Sequence, residues 1–320
     1  MSLPPLLRDT LRLPVIGAPL YIVSGPELVL AQCKAGIVGS FPALNARPQE
    51  MLATWLDRIS KELAAHRTLH PHMKVAPYAV NQIVHASNAR LQHDLDLCVQ
   101  HRVPIMITSL RAPDAVVEAA HSYGGLVFHD VTTIKHARRA LEAGVDGLIL
   151  VCAGAGGHAG RLSPFALVPE VRQFYDGCVV LSGSIASGGA ILAAQALGAD
   201  LAYIGTRFIA SEEACAPAAY KQMIIDSRAE DILYTNLFTG VHGNYLKGSI
   251  INAGMDPDNL PESDKSRMDF GSGSARAKAW RDIWGAGQGV GQMCDAPPAG
   301  TIVERLEAEY RAVKQHVAGG

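Results

Sequence analysis

Eight short apolar segments, each followed by a segment of helical character, constrain the fold of this 320-residue chain more than any other feature. Near-continuous apolar runs of this length are typical of parallel strands that are covered on both faces. Because eight such strands alternate with helices, the pattern predicts an α/β fold, a (β/α)8 TIM barrel, with a doubly wound sheet as the alternative. The chain lacks an early G-x-G-x-x-G turn, which favours the barrel. The predicted strands cover residues 13–18, 36–41, 74–80, 103–109, 125–130, 145–151, 178–183 and 200–205.

Helix boundaries can be recognised in several of the intervening segments. Segment 24–36 has Ser24 as a candidate N-cap and ends at a glycine. Segment 132–144 begins with threonine and ends with glycine, and the alanine-rich segment 187–199 has helical periodicity. Apolar residues also keep helical spacing over 302–317, which predicts a C-terminal helix that packs back on the barrel.

The alternation of strands and helices stops after residue 208. Gly, Asn, Asp and Pro are concentrated in the following part of the chain, which reads as an excursion from the barrel. We therefore expect residues 1–214 and 294–320 to form the barrel with its C-terminal helix. Residues 215–293 are expected to form a smaller cap region that follows strand eight and determines the choice of substrate.

Composition and charge argue against several classes of protein. The formal net charge is −2, so nucleic-acid binding is not expected. No run approaches the ~18 apolar residues of a membrane span, and the N-terminus lacks a signal peptide's features. The six cysteines are scattered, which favours free thiols and a cytoplasmic protein. His66, His70 and His72 are expected on a solvated helix end, so no metal site is predicted.

The loops after the last two strands are candidates for a phosphate site. Active sites of such barrels lie at the C-terminal ends of the strands, and the loops after strands seven and eight commonly hold phosphate. Gly183 and Ser184 follow strand seven, and Gly205 and Thr206 follow strand eight. Glycines there allow backbone N–H groups to approach an anion closely. The alternative interpretation is that these are ordinary turn residues.

The loop "AGAGGHAG" (153–160) follows strand six and contains one titratable side chain, His158. Its place at the predicted mouth of the barrel favours an active-site role over a structural histidine bonded to backbone. Four further polar residues at strand ends are expected to orient substrate or cofactor: Gln82, Thr108, Ser109 and Asp130. The stretch "GAGQGVG" (285–291) departs from the dinucleotide fingerprint at Val290.

These loops resemble the nitronate monooxygenase family, formerly called 2-nitropropane dioxygenases. The likeness rests on "GAGGHAG", on "VNQ" (80–82) and on the stretch from "LSGSIASGG" through "GTRF" within 181–214. It covers most of residues 10–215 and resumes at 279–291. Related flavin-dependent enoyl-acyl-carrier-protein reductases and NADH:quinone reductases share the same loops.

The resemblance implies a TIM barrel that holds non-covalent FMN. His158 would face the flavin ring as catalytic base or substrate anchor. Asn81, Gly156 and Gly157 would contact the flavin, and the phosphate would lie at Gly183, Ser184, Gly205 and Thr206. Ala18, Pro19 and Leu20 would lie under the ring, with Asp130 nearby.

The chain departs from its relatives at three positions. Val151 stands where several relatives have glutamine, Ala155 where some have glutamate, and Asp130 where the quinone reductases have lysine. An acid near the flavin would not stabilise a reduced, anionic ring as lysine can, which weakens an NAD(P)H-reductase interpretation.

The function implied is FMN-dependent oxidation of alkyl nitronates, with a small-molecule substrate and O2 as partners. A homodimer is left open. One alternative is an FMN-dependent NAD(P)H:quinone or enoyl-thioester reductase. Another is a flavin-free barrel that binds a phosphorylated ligand.

Overall fold

The computed structural model describes residues 2–261 and 282–319. The strands within this part of the chain are β1 (Val15–Gly17), β2 (Gly39–Pro42), β3 (Tyr78–Val84), β4 (Ile105–Leu110), β5 (Leu126–Val131), β6 (Gly147–Val151), β7 (Gly157–His158), β8 (Cys178–Ser182), β9 (Leu201–Ile204), β10 (Ile232–Thr235) and β11 (Gly243–Leu246).

Eight of the strands in the described residues form one parallel sheet in the order β1-β9-β8-β6-β5-β4-β3-β2. A parallel bridge between Ile16 and Val38 joins the two ends of this sheet and closes the barrel. The predicted (β/α)8 fold is therefore confirmed, and each of the eight predicted segments overlaps one barrel strand, although β2, β3, β4 and β5 extend beyond the predicted C-terminal bound. A doubly wound sheet is excluded, because its two edges would stay apart.

Helices follow the strands in the order expected for this fold. Their bounds are α1 (Pro5–Arg8), α2 (Pro26–Lys34), α3 (Met51–Leu69), α4 (Leu91–Gln100), α5 (Asp114–His121), α6 (Ile134–Glu142), α7 (Pro164–Arg172), α8 (Gly188–Leu197), α9 (Thr206–Ile209), α10 (Ala218–Asp226), α11 (Lys247–Asn252) and α12 (Ala299–Gly319). Short 3-10 segments lie at Ala43–Asn45, Ala229–Asp231 and Gln288–Gln292.

Side-chain hydrogen bonds cap the N-termini of α6 and α8, whereas the cap predicted for α2 is not formed. Thr133 caps α6 by accepting from the His136 N–H at 3.2 Å, and Ser187 caps α8. The prediction that Ser24 caps α2 is wrong, because α2 begins at Pro26 after Gly25. The Ser24 hydroxyl instead accepts from the Leu20 N–H at 3.0 Å, which fixes the loop after β1.

The core lies on both sides of the barrel wall. Outward-facing strand residues such as Val80, Leu148 and Val179 are buried against the helices. Inward-facing residues such as Phe128 and Ile149 fill the interior, so the barrel is solid below its mouth. A site in this fold therefore has to lie above this packed layer, at the strand ends.

The helix α12 packs against α8, as the sequence predicted for the C-terminal segment. The approach is close enough that a β-carbon at Gly188 would overlap the backbone of α12 at Leu306 and Tyr310. The Glu309 carboxylate accepts from the Gly188 N–H at 2.7 Å. The first turn of α8 is thus satisfied by a side chain from α12.

The chain between α9 and α12 builds a second, three-stranded sheet in the order β10-β11-β7, antiparallel throughout. Its third strand comes from the loop after β6, so the excursion pairs directly with the loop that carries His158. Residues 262–281, which belong to the expected cap region, lie outside the described residues. In the stretches 2–261 and 282–319, no helix is long and apolar enough to cross a membrane.

Replacing Gly188 with alanine should lower the free energy of unfolding by about 1–3 kcal/mol, because its methyl group would overlap the backbone of α12. The matched control is Gly189→Ala, whose β-carbon would meet only Val313 Cγ2 at 3.5 Å. That change should be neutral or stabilising by up to about 1 kcal/mol, since alanine favours a helix interior. Urea denaturation of both variants measures the difference, and equal midpoints would contradict the close contact.

Candidate functional site

A cavity of about 920 Å³ opens at the C-terminal ends of the barrel strands. It lies near the upper end of the range of roughly 300–1,000 Å³ for small-molecule sites, so it has room for a cofactor beside a substrate. Every residue named above as a catalytic or cofactor-binding candidate lines it: Ala18, Pro19, Leu20, Asn81, Asp130, Gly156, Gly157, His158, Gly183, Ser184, Gly205 and Thr206.

Two strand-end residues expected nearby are not part of the cavity wall. Gln82 donates to Cys98 Sγ at 3.3 Å, and Thr108 is bonded to His129 Nδ1 at 2.8 Å. Both side chains are buried on the helix side of the sheet. Their neighbours Asn81 and Ser109 line the cavity, since successive residues of a strand face opposite sides.

Glycines in the loop after β6 let other backbone segments pack against it. A β-carbon at Gly154 would collide with Ser184 Oγ, and one at Gly156 would lie 2.8 Å from the Gly287 N atom. Gly157 has φ +65°, in the left-handed region that favours glycine. The Asn244 amide donates to the Ala155 carbonyl at 2.7 Å and fixes the loop from the side of the excursion.

His158 is held in position by the excursion. It lies in β7 opposite Gly243, and its Nε2 atom is 2.9 Å from Thr239 Oγ1. The Thr239 hydroxyl is 3.0 Å from the Val241 carbonyl, which can only accept. With that hydrogen bond made, Thr239 accepts from Nε2–H, and Nδ1 is the ring nitrogen with the lone pair. Burial lowers the pKa of His158 to about 4, so the ring is neutral at neutral pH.

A polar chain runs across three adjacent strands at the cavity wall. The Asn81 amide donates to Ser109 Oγ at 3.0 Å, and the Ser109 hydroxyl donates to Asp130 Oδ2 at 2.6 Å. Asp130 Oδ1 is buried without a hydrogen-bond partner, and so is the hydroxyl of Tyr203 across the barrel. Burial raises the pKa of Asp130 to about 7, while the Ser109 hydrogen bond opposes the shift.

The loops after β8 and β9 lie beside the glycine loop. Gly183 and Ser184 have φ +136° and +55°, conformations that turn the backbone sharply at the strand end. Gly205 precedes the short helix α9, and Thr206 is its first residue. Thr206 Oγ1 accepts from the Gly287 N–H at 2.9 Å, so residues of the 285–288 segment close this side of the site.

Sequence reasoning missed the residues that the excursion supplies to the cavity. The Tyr234 and His242 rings stack at 5.0 Å, and those of Tyr220 and Trp284 stack at 4.9 Å. All four side chains line the cavity, as do Gly285, Gly287 and Gly289. The stretch "GAGQGVG" was the available signal. Its glycines permit close backbone packing and do not form a dinucleotide turn.

Charged groups are sparse around the cavity. Among its lining residues in the described chain, Arg161 and Asp130 are the only Lys, Arg, Asp or Glu side chains. Arg161 is exposed and follows the His158 loop, whereas Asp130 lies at the strand ends. Over residues 2–261 and 282–319, no group of His, Cys, Asp and Glu is placed to hold a metal ion.

Comparison with known proteins shows which family and which solved structures the chain resembles. The family model described as nitronate monooxygenase matches residues 59–309. A nitronate monooxygenase of Neurospora crassa is 27% identical over 93% of this chain and 89% of the relative. The structure of nitroalkane oxidase from Streptomyces ansochromogenes superimposes with a TM-score of 0.76 at 26% identity and covers 98% of this chain and 99% of that one. FabK from Thermotoga maritima shares the fold, with a TM-score of 0.75 at 22% identity, over 97% of this chain and 96% of its own.

The depressed pKa of His158 should make the protein less stable in acid. The unfolded chain binds a proton at this histidine below pH ~6.5, whereas the folded chain does so only near pH 4. The contribution of His158 to the free energy of unfolding is therefore complete above pH ~6.5. Roughly 2 kcal/mol of it is lost at pH 5. Urea unfolding of wild type and His158→Asn at pH 7.5, 6 and 5 measures this contribution as the difference between the two proteins. Stability curves that run parallel would contradict a neutral, buried ring.

Proposed function

We propose, from the premise that this chain belongs to the nitronate monooxygenase family and is a flavin-dependent oxidoreductase, that it oxidises alkyl nitronates with dioxygen on non-covalently bound FMN. The observation that carries the proposal is the neutral imidazole of His158, held by Thr239 at a cavity wall otherwise made largely of glycine and apolar residues. Such a ring can act on a substrate that lies against a planar cofactor.

The shape and polarity of the cavity fit a flavin. Gly157 carries no side chain, and nothing lies within 4 Å of the position where a β-carbon would stand, so a planar ring can approach the loop closely there. Asp130 Oδ1 and the Tyr203 hydroxyl are buried polar groups without partners at the cavity wall, an arrangement common where a ligand completes a site. We assign ring contacts to Ala18, Pro19, Leu20, Asn81, Asp130, Gly156 and Gly157.

The phosphate end of the cofactor is assigned to the loops after β8 and β9. The turns at Gly183–Ser184 and Gly205–Thr206 line the same cavity at the ends of the adjacent strands β8 and β9, where glycines allow an anion to approach the backbone closely. Among the described residues that line the cavity, Asp130 on β5 is the only carboxylate, so none lies in the loops after β8 and β9, which suits a dianionic group.

The residues of this chain then divide the chemistry with the cofactor. The flavin, when bound, supplies an electron acceptor that dioxygen can reoxidise. His158 enters the cycle neutral, with Nε2–H on Thr239, and Nδ1 can accept a proton. A base with a pKa of about 4 is weak toward a neutral nitroalkane, so the site suits a substrate already ionised as nitronate. An anion bound beside His158 would raise the pKa of the ring, and after protonation the Nδ1–H group would donate a hydrogen bond to that anion.

Residues 215–293 are assigned to the substrate side of the site. Two observations support this assignment. Side chains of this region, including Tyr234, Val241, His242 and Trp284, line the cavity. The β7–β11 pairing joins this region to His158. Substrate size is then set by aromatic side chains from outside the barrel.

The purified chain should be yellow, release FMN on heating, and lose its flavin absorbance when mixed anaerobically with ethyl nitronate. NADH should leave the absorbance unchanged on the same timescale. Rapid bleaching by NADH but not by the nitronate would favour the reductase alternative. A colourless protein that binds no added FMN would favour a flavin-free barrel.

Replacing His158 with asparagine should reduce kcat/KM for ethyl nitronate by at least about a hundredfold, since positioned acid–base groups contribute roughly 10²–10⁴. Flavin content should not change, because the ring contacts are assigned elsewhere. His121→Asn is the matched control, since His121 is an exposed histidine on α5 paired with Asp146 at 2.9 Å. Wild-type kinetics in His158→Asn would remove the role assigned to this residue.

A further inference from the structure

One buried carboxyl group at the cavity has no part in the chemistry described above. Asp130 ends in two oxygens with very different surroundings. Oδ2 accepts one hydrogen bond, from the Ser109 hydroxyl at 2.6 Å, and Oδ1 accepts none. A buried carboxylate is normally stabilised by a cation or by several N–H donors, and the residues described around Asp130 provide neither.

The donors beside Asp130 are already committed. Asn81 Nδ2 faces the Ile107 carbonyl at 3.3 Å, and a carbonyl oxygen can only accept, so this atom is the amide nitrogen. The same nitrogen donates to Ser109 Oγ, which leaves the single Ser109 hydrogen for Asp130 Oδ2. The polar chain therefore delivers one neutral hydrogen bond to the carboxyl group and no more.

Other titratable groups near Asp130 do not compensate its charge. The neighbouring strands β4 and β6 carry no titratable side chain. Tyr203, on β9, faces Asp130 as a neutral phenol, and its pKa is raised far above normal by burial. His129 lies on the opposite face of β5, bonded to Thr108. His136, His158 and Arg161 line the same cavity, and none of them makes a hydrogen bond to Asp130.

We propose that Asp130 takes up a proton when the flavin ring enters the cavity, so that cofactor binding is coupled to the charge of this one carboxyl group. The inference rests on the proposed function, in which the ring covers this wall. A ring placed there removes the remaining contact of Asp130 with water. Among the described residues, none provides a counter-ion for the charge that would then be buried. The neutral acid avoids both costs, as buried carboxylic acids in apolar sites do elsewhere.

Riboflavin is the suitable probe, because it lacks the phosphate of FMN, whose second ionisation near pH ~6 would overlap the effect. We expect the Kd of the full-length, cofactor-depleted chain for riboflavin to be constant in acid and to rise above neutrality. If only the protonated chain is competent, the rise approaches about tenfold per pH unit, or roughly 30-fold by pH 8.5. Quenching of riboflavin fluorescence between pH 5.5 and 8.5 measures it.

Asp130→Asn is the informative variant, because the amide keeps an acceptor for Ser109 and has no charge to lose. Its Kd should not change with pH, and at pH 8.5 it should bind riboflavin more tightly than wild type. Asp114→Asn removes an exposed acid from α5 and serves as the control that keeps the wild-type profile. Ser109→Ala should move the rise to higher pH, since the Ser109 hydrogen bond lowers the pKa of Asp130.

Calorimetry of wild-type chain at pH 8, in two buffers of different ionisation enthalpy, provides a test that needs no variant. Uptake of close to one proton per riboflavin supports the coupling, and uptake near zero contradicts it. A riboflavin Kd with the same pH dependence in wild type and Asp130→Asn overturns the assignment of Asp130 and leaves the flavin function intact. A chain that binds neither FMN nor riboflavin at any pH overturns the proposed function itself.

Discussion

The contact between the loop after β6 and two other backbone segments is the constraint on which the site depends. Gly154 and Gly156 bring this loop against Ser184 on one side and Gly287 on the other, at distances that leave no room for a β-carbon. Because the loop is fixed by backbone packing, its only titratable side chain, His158, is presented from a rigid support. Gly154 and Gly156 therefore tolerate substitution poorly. A larger residue at either position would push the loop away from its neighbouring segments, one of which is also held by the hydrogen bond between Thr206 and Gly287.

The barrel and the excursion contribute different properties to the cavity. Barrel strands supply the polar chain from Asn81 to Asp130 and the turns assigned to phosphate. The excursion supplies aromatic walls and the Thr239 hydroxyl that orients His158. A member of this family can therefore change the substrate side of its site without disturbing the parallel sheet, which is consistent with function being carried by loops on a shared scaffold.

The sequence predicted the barrel well because strands buried on both faces leave continuous apolar runs that need no knowledge of their neighbours. It also located the loops of the site, because barrel geometry assigns them to strand ends. It did not resolve which strand-end residues face inward: Asn81 and Ser109 line the cavity, whereas Gln82 and Thr108 point to the helices, and a shift of one residue reverses this. The sequence also did not predict the pairing of β7 with β11, because these two segments are distant along the chain and their hydrophobic periodicity is weak. Ser24 was misassigned for a different reason: a serine before an apolar run can cap a helix or hold a local turn, and here its hydroxyl accepts from the Leu20 N–H.

The hydrogen bond between His158 and Thr239 joins residues 81 positions apart, and the one between Thr206 and Gly287 spans the same separation. During synthesis, the barrel strands can be complete while the later partners of these contacts, Thr239 and Gly287, have not yet been made. The nascent barrel therefore lacks the excursion that covers its C-terminal end, and the apolar residues of the cavity wall are exposed to solvent. Since loop closure over such distances is slow compared with helix formation, we expect the mouth of the barrel to become ordered later than its strands, and the chain is exposed to aggregation in this interval.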